Sequence, residues 1–145
     1  MKNKHMNTIR RINYLTTEME TLYHQSSLKL GISDSVSRVL YAIYDAGEEC
    51  LLSDICKNSG ISKQTINSAI RGLEKDGIIY LEQYNGRLKK VILTDKGKEY
   101  VQTTAARLCQ AERDVFDSWT EDEINTYIQL MEKYTECFRQ QIEKL

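Results

Sequence analysis

Between Ser62 and Lys75 the chain reads S-K-Q-T-I-N-S-A-I-R-G-L-E-K, and its residue types suit contact with nucleic-acid bases. Ile66, Ala69, Ile70 and Leu73 fall at i, i+3, i+4 and i+7, one apolar stripe of an amphipathic helix. The centre of the opposite face falls at Gln64, Ser68, Arg71 and Lys75, with Asn67 at its edge. Side-chain amides bond bidentately to adenine, Arg does the same to guanine, and Ser suits either. Lys63 and Lys75 suit phosphates, and Ser62 and Thr65 in the first turn complete the candidate DNA-contacting set on this helix. A carboxylate on this face would repel a duplex, and Glu74 and Asp76 lie to the side or at the end. A merely solvated face normally mixes Glu with Lys.

The flanking segments are of the kind that would hold such a helix against DNA. Ser53 can cap a short helix running through Asn58, with Ile55 inward and Cys56 against the partner helix. Gly60 stands where an αL turn needs a residue without Cβ, Ile61 packs inward, and Ser62 caps the second helix. Ile78–Gln83 and Lys89–Leu93 have strand composition around Asn85-Gly86, the strongest two-residue turn signal. Arg87 at the tip, followed by Lys89 and Lys90, suits the narrow minor groove and its phosphates. Helix-turn-helix plus basic hairpin is a device for duplex DNA. The whole chain has a formal charge of −1, yet residues 57–90 hold seven bases against three acids, while 110–145 hold four bases against nine acids. A basic reading surface on an acidic body fits sequence-specific rather than bulk electrostatic binding. Gly72, in the middle of the helix, costs about 1 kcal/mol relative to Ala; close approach to DNA or a neighbouring helix and tolerated drift both account for it.

Residues 33–100 resemble the MarR family of bacterial winged-helix transcriptional regulators. The resemblance runs through Leu52-Ser53-Asp54-Ile55-Cys56, the helix from Ser62 to Lys75, Leu73-Glu74-Lys75-Asp76-Gly77, Arg87 and Leu93-Thr94-Asp95-Lys96-Gly97. It implies a dimeric regulator on a palindromic operator, more often a repressor than an activator, and usually released by a ligand or an oxidant. Two positions depart from the family pattern. Its wing commonly reads Asp-x-Arg where this chain has Asn85-Gly86-Arg87, and an outward Arg late in the recognition helix is Ser68 here, with Arg71 three residues on.

The expected fold is mainly α with a small β-wing (α+β), a winged helix-turn-helix flanked by N- and C-terminal dimerisation helices. The 145 residues suit a single MarR-like domain, 1–145, with no Pro and no low-complexity linker. Within it, 33–95 form the DNA-binding part, and 5–31 and 96–145 the dimerisation part. No apolar run approaches the roughly 20 residues that span a bilayer, which leaves membranes out of the partners. The basic N-terminus MKNKHMNTIRR lacks the apolar run of a secretory signal, and four irregularly spaced cysteines suit reduced thiols in the cytoplasm. Ile124, Ile128, Met131, Thr135, Phe138, Ile142 and Leu145 form a heptad seam opened by the capping box Thr120-Glu121-Asp122-Glu123. The preceding helix opens at Thr94 and carries Val101, Ala105, Leu108, Val115 and Trp119 on one side. Ile9, Ile12, Leu15, Met19 and Leu22 recur at spacings of three or four before Gly31 ends their helix. These stripes exceed what a small winged helix can cover. In the family they intertwine between two subunits, which sets two recognition helices in successive major grooves; packing as a bundle within one subunit is the alternative.

No enzymatic constellation is present: there is no Gly-rich phosphate loop, G-x-S-x-G or H-E-x-x-H, and His5 and His24 are the only histidines. No cofactor, catalytic residue or metal site is expected. Glu20 and His24 make an i, i+4 pair that suits solvent better than zinc. Family ligands enter a cleft between the dimerisation helices and the reading domain, for which Tyr14, Tyr23, Tyr41, Tyr44 and Trp119 are the lining candidates. A thiol switch between Cys50, at the end of one helix, and Cys56 is the lesser variant, since the oxidant-sensing branch relies on a first-helix Cys that is missing here. Two other readings stay open: a winged-helix protein-interaction module, opposed by the outward Gln64, Asn67, Ser68 and Arg71, and a non-specific architectural DNA binder, opposed by the net charge.

Overall fold

The computed structural model describes residues 4–145, so the first three residues of the basic N-terminus lie outside it. The element order is α1 (Met6–Leu30), α2 (Asp34–Asp45), β1 (Glu49–Leu51), α3 (Leu52–Ser59), α4 (Lys63–Lys75), β2 (Ile79–Asn85), β3 (Leu88–Leu93), α5 (Asp95–Thr103), α6 (Ala105–Asp117) and α7 (Glu121–Ile142). The chain forms two compact units that divide between Leu108 and Cys109. The expected α+β class, mainly helical with a small wing, is what the chain adopts.

The first unit is built around one core. Leu40 and Ile43 of α2, Ile55 of α3, Ile66, Ala69, Ile70 and Leu73 of α4, Ile79 of β2, Val91 and Leu93 of β3, and Val101 of α5 are all buried in it. Every member of the stripe expected on α4 is therefore inside, with Ile66, Ile70 and Leu73 each contributing about 1.5–3 kcal/mol by leaving water. The sheet is antiparallel in the order β1-β3-β2. Cys50, Val91 and Leu81 stand in one cross-strand row on the core side, while Glu49, Ile92 and Tyr80 form a row on the other. Gly31 closes α1 at φ +71, and Gly60 closes α3 at φ +67, both left-handed as their positions require.

Several local expectations are corrected. Ser53 does not cap α3: the helix begins two residues earlier than that cap implies, with Leu51 at the cap and no side-chain bond there, because the chain enters directly from β1. That strand went unforeseen, and Cys50 lies within it rather than at a helix end. Asn85 and Gly86 are not the two hairpin loop residues: Asn85 pairs with Leu88, so the loop is Gly86-Arg87, with Gly86 at φ +55. The strands are correspondingly longer at the tip. The helix expected to run on from Thr94 is two helices, since Thr104 breaks it at φ −126, ψ −93. Thr103 and Thr104 both donate their hydroxyls back to the Tyr100 carbonyl, at 2.9 and 2.8 Å, an arrangement that bends helices. α6 ends at Asp117, so Trp119 lies beyond the helix expected to carry it. His24 is paired with Asp34 of α2 through Nδ1 at 2.8 Å rather than with Glu20, and this contact holds the Asp34 carboxyl below its ordinary range.

In the second unit α7 opens as expected. Thr120 Oγ1 accepts from Glu123 N at 3.1 Å and Glu123 Oε1 accepts from Thr120 N at 3.0 Å, which lowers the Glu123 pKa. Trp119 meets Phe116 and Tyr127 edge-on at centroid distances of 5.3 and 5.4 Å. No residue of α7 is buried. No helix among the described residues is long and apolar enough to cross a membrane.

Candidate nucleic-acid interface

Helix α4 starts at a firm cap. Ser62 Oγ accepts from Thr65 N at 3.2 Å and bonds Thr65 Oγ1 at 2.8 Å, so these two hydroxyls brace each other at the N-terminus. Arg38 of α2 donates through Nη1 to the Ser59 carbonyl at 2.6 Å, tying the end of α3 and hence the turn into α4 to the scaffold. Sequence pattern could not have singled Arg38 out, because its partner lies 21 residues away. Between cap and C-terminus, Lys63, Gln64, Ser68, Arg71 and Lys75 are exposed and Asn67 is half-buried. The side chains of Lys63, Gln64, Asn67, Arg71 and Lys75 make no hydrogen bond or ion pair with any other described residue. Ser68 differs, since its hydroxyl donates to the Gln64 carbonyl at 3.1 Å. In that rotamer it presents lone pairs outward and suits a base-edge donor, the adenine N6 or cytosine N4 amine. A Cβ placed on Gly72 would meet nothing within 4 Å, so no neighbouring helix requires this glycine.

The far end of α4 is held by the segment Leu93–Gly97. Thr94 Oγ1 accepts from Gly97 N at 2.9 Å as the cap of α5, and donates to the carbonyls of Gly77 and Ile78 at 2.6 and 3.1 Å. Thr94 N donates to Ile78 O at 3.0 Å, and Lys96 Nζ donates to Asp76 O at 2.8 Å. Gly97 is packed so tightly that a Cβ would fall 2.0 Å from the Ile78 carbonyl oxygen. Thr94, Lys96 and Gly97 thus fasten the α4–β2 junction to the start of α5, which sets the angle between α4 and the wing.

On the wing, Arg87 and Lys89 are exposed and carry no ion pair among the described residues. Lys90 is different from its neighbours: Glu49 of β1 holds its ammonium at 3.2 Å. Gln83 Nε2 donates to the Gly86 carbonyl and braces the tip, in the place where an acidic brace for Arg87 is lacking.

The other expected residues are distributed as follows. Ile9, Ile12 and Leu15 of α1 are 47, 40 and 42 % exposed, and Ile128, Met131, Phe138 and Ile142 of α7 are 48, 52, 51 and 49 % exposed. Ile124 is half-buried. Tyr41 and Tyr44 pack on the core of the first unit, while Tyr14 and Tyr23 of α1 are exposed. None of these tyrosines lines the open cleft of about 640 Å³ formed by Ala46–Glu49, Tyr80, Ile92–Asp95 and Lys98. Burial, with the Asp54 carboxylate adding to it, pushes the Cys50 thiol up to about 11, so it is no poised thiolate. All four cysteines are free, and no group of three metal-ligating side chains occurs among the described residues.

A capped helix with a polar outer face over a buried stripe, followed by a basic two-stranded tip, defines a winged helix-turn-helix. The MarR family's sequence model matches residues 30–87. No curated protein matches the chain in sequence. In fold it is similar to the MarR family regulator NMB1585 from Neisseria meningitidis, with TM-score 0.78, 18% identity and 98% of each chain covered. It is also similar to Sco3205, a MarR family transcriptional regulator from Streptomyces coelicolor solved in complex with DNA (TM-score 0.71, 22% identity, 90% of this chain and 85% of that one). A third similar structure is that of Bordetella bronchiseptica BpsR, solved for the regulation of its DNA binding by 6-hydroxynicotinic acid (TM-score 0.65, 19% identity, 86% and 98% covered). Residues 30–87 thus match the MarR family's sequence model, and the chain as a whole has the fold of these MarR-family structures.

Proposed function

We propose that the protein is a sequence-specific, double-stranded-DNA-binding transcriptional regulator that works as a homodimer on a palindromic operator. The observation that carries this is the outer face of α4, where Lys63, Gln64, Asn67, Arg71 and Lys75 are uncommitted beside Ser68 while the inner face is fully buried. A helix face with no role in the core but an ordered set of base-complementary groups suits the major groove. Arg87 enters the adjacent minor groove, with Lys89 on phosphate.

In this reading residues 33–95 are the DNA-binding part, and residues 5–31 and 96–145 dimerise. The half-exposed apolar seams of α1 and α7 support it, because that much hydrocarbon in water is the mark of an association surface. A two-fold axis then sets the two α4 helices about one helical turn of DNA apart. The regulator is a repressor that a small effector releases, a role supported by the ligand-controlled DNA binding of BpsR. Tyr14, Tyr23, Tyr41, Tyr44 and Trp119 remain the residues proposed to meet that effector.

Fluorescence-anisotropy titration of Arg71→Ala tests base reading. On the preferred duplex the variant should lose about 1–3 kcal/mol and relax preference at one base pair. An equal loss on scrambled DNA would mean that Arg71 touches only the backbone.

A further inference from the structure

Tyr84 belongs neither to the core of the first unit nor to the set of base readers. In the β2–β3 ladder Gln83 pairs with Lys89 and Asn85 with Leu88, so β2 advances two residues while β3 advances one. Tyr84 is the extra residue, a β-bulge. Bulges take a side chain out of the regular alternation, and they gather beside functional sites for that reason. Tyr84 is 57% exposed. Its ring lies beside the Lys90 ammonium, 5.1 Å from the centroid, and Glu49 fixes that ammonium at 3.2 Å. The loop Gly86-Arg87 is braced by the Gln83 side chain. A phenol is thereby held on a short, stiffened hairpin, three positions before Arg87.

At roughly 3.3 Å per residue, Tyr84 lies within about 10 Å of Arg87 along the chain. When Arg87 occupies a minor groove about 6 Å wide, a group at that separation meets the lip of the groove, where the phosphates run, and not its floor. A tyrosine hydroxyl is a regular donor to phosphate oxygens. Arg87 and Lys89, neither of them ion-paired among the described residues, leave the wing tip electropositive, which favours an anion and disfavours an apolar partner protein.

We propose that Tyr84 is the wing's phosphate anchor: its hydroxyl donates to a backbone phosphate at the edge of the minor groove that Arg87 enters, fixing the register of the wing. This rests on the DNA-reading role proposed above. The test compares wild type, Tyr84→Phe and Tyr84→Ala by anisotropy on the duplex that wild type selects, on a scrambled duplex, and on the selected duplex with neutral methylphosphonates along the wing-side groove edge. Loss of one such bond to a charged phosphate on each wing should weaken Tyr84→Phe by about 10-fold or more on both unmodified duplexes. The methylphosphonate duplex, which keeps an acceptor oxygen but no charge, should shrink the difference between Tyr84→Phe and wild type. Unchanged binding by Tyr84→Phe would overturn the anchor even if Tyr84→Ala is weak, since the ring and not its hydroxyl would then matter. A loss confined to the selected sequence would overturn it too, because a phosphate contact carries no base preference. Wild type that binds no duplex would bring down the DNA-reading role itself, a result separate from either.

Discussion

Gly97→Ala is the sharpest perturbation of the framework that aims the recognition helix. Gly97 lies inside α5 without a left-handed φ, so helix propensity alone predicts a gain of about 1 kcal/mol for Ala. Packing predicts the reverse. The new Cβ would stand 2.0 Å from the Ile78 carbonyl oxygen, 3.0 Å from its carbon and 3.2 Å from Leu93 Cδ2. Backbone atoms cannot swing aside as a flexible side chain can, so α5 must withdraw from the α4–β2 junction by more than an ångström. That displacement stretches the bonds of Thr94 to Gly77 and Ile78 and of Lys96 to Asp76. Overpacking costs typically about 1–3 kcal/mol, and each weakened hydrogen bond about 0.5–1.5 kcal/mol. With the propensity gain set against them, the low end of each cost still leaves a net loss of about 2 kcal/mol. At a urea dependence of about 2 kcal/mol/M this moves the unfolding midpoint down by about 1 M or more at fixed protein concentration. Affinity for DNA should fall as well, because the angle between α4 and the wing is set at this contact. An unchanged or raised midpoint would refute the close approach.

Two further expectations concern association and thiol chemistry. Met131→Glu or Phe138→Glu should turn the proposed dimer into monomers of much lower affinity for the selected duplex; a stable dimer in light scattering would remove the α7 seam from the interface. Because the Cys50 thiol is shifted from its ordinary 9.0 to about 11, it should alkylate with iodoacetamide far more slowly than the exposed Cys137, and diamide should leave DNA binding intact. The folded chain keeps Cys50 neutral, so its contribution to stability is full below pH 9 and fades as pH rises through 11. Faster labelling of Cys50 than of Cys137 would contradict this.

Features set by local pattern were legible in the sequence. The stripe Ile66, Ala69, Ile70 and Leu73 is buried, Ser62 and Thr120 cap their helices, and Gly60 takes its left-handed turn. All of these depend on neighbours within a turn of helix. Features set by distant partners were not. β1 is three residues long and exists because β3, about 40 residues on, supplies its hydrogen bonds. Arg38 acts across 21 residues. The hairpin loop moved one residue because the bulge at Tyr84 absorbs the extra position, which turn statistics cannot register. The break at Thr104 needed two adjacent threonines to choose the same carbonyl over the helix ladder. Among the candidate readers, composition alone treated Ser68 as donor or acceptor, whereas its bond to the Gln64 carbonyl leaves acceptance.

The most direct test of the central claim is selection of bound sequences from random duplexes by the purified protein. The account predicts a palindromic consensus whose half-sites are centred about 10 base pairs apart, one for each α4 of a dimer. Enrichment of no sequence, with equal affinity for every duplex, would contradict it.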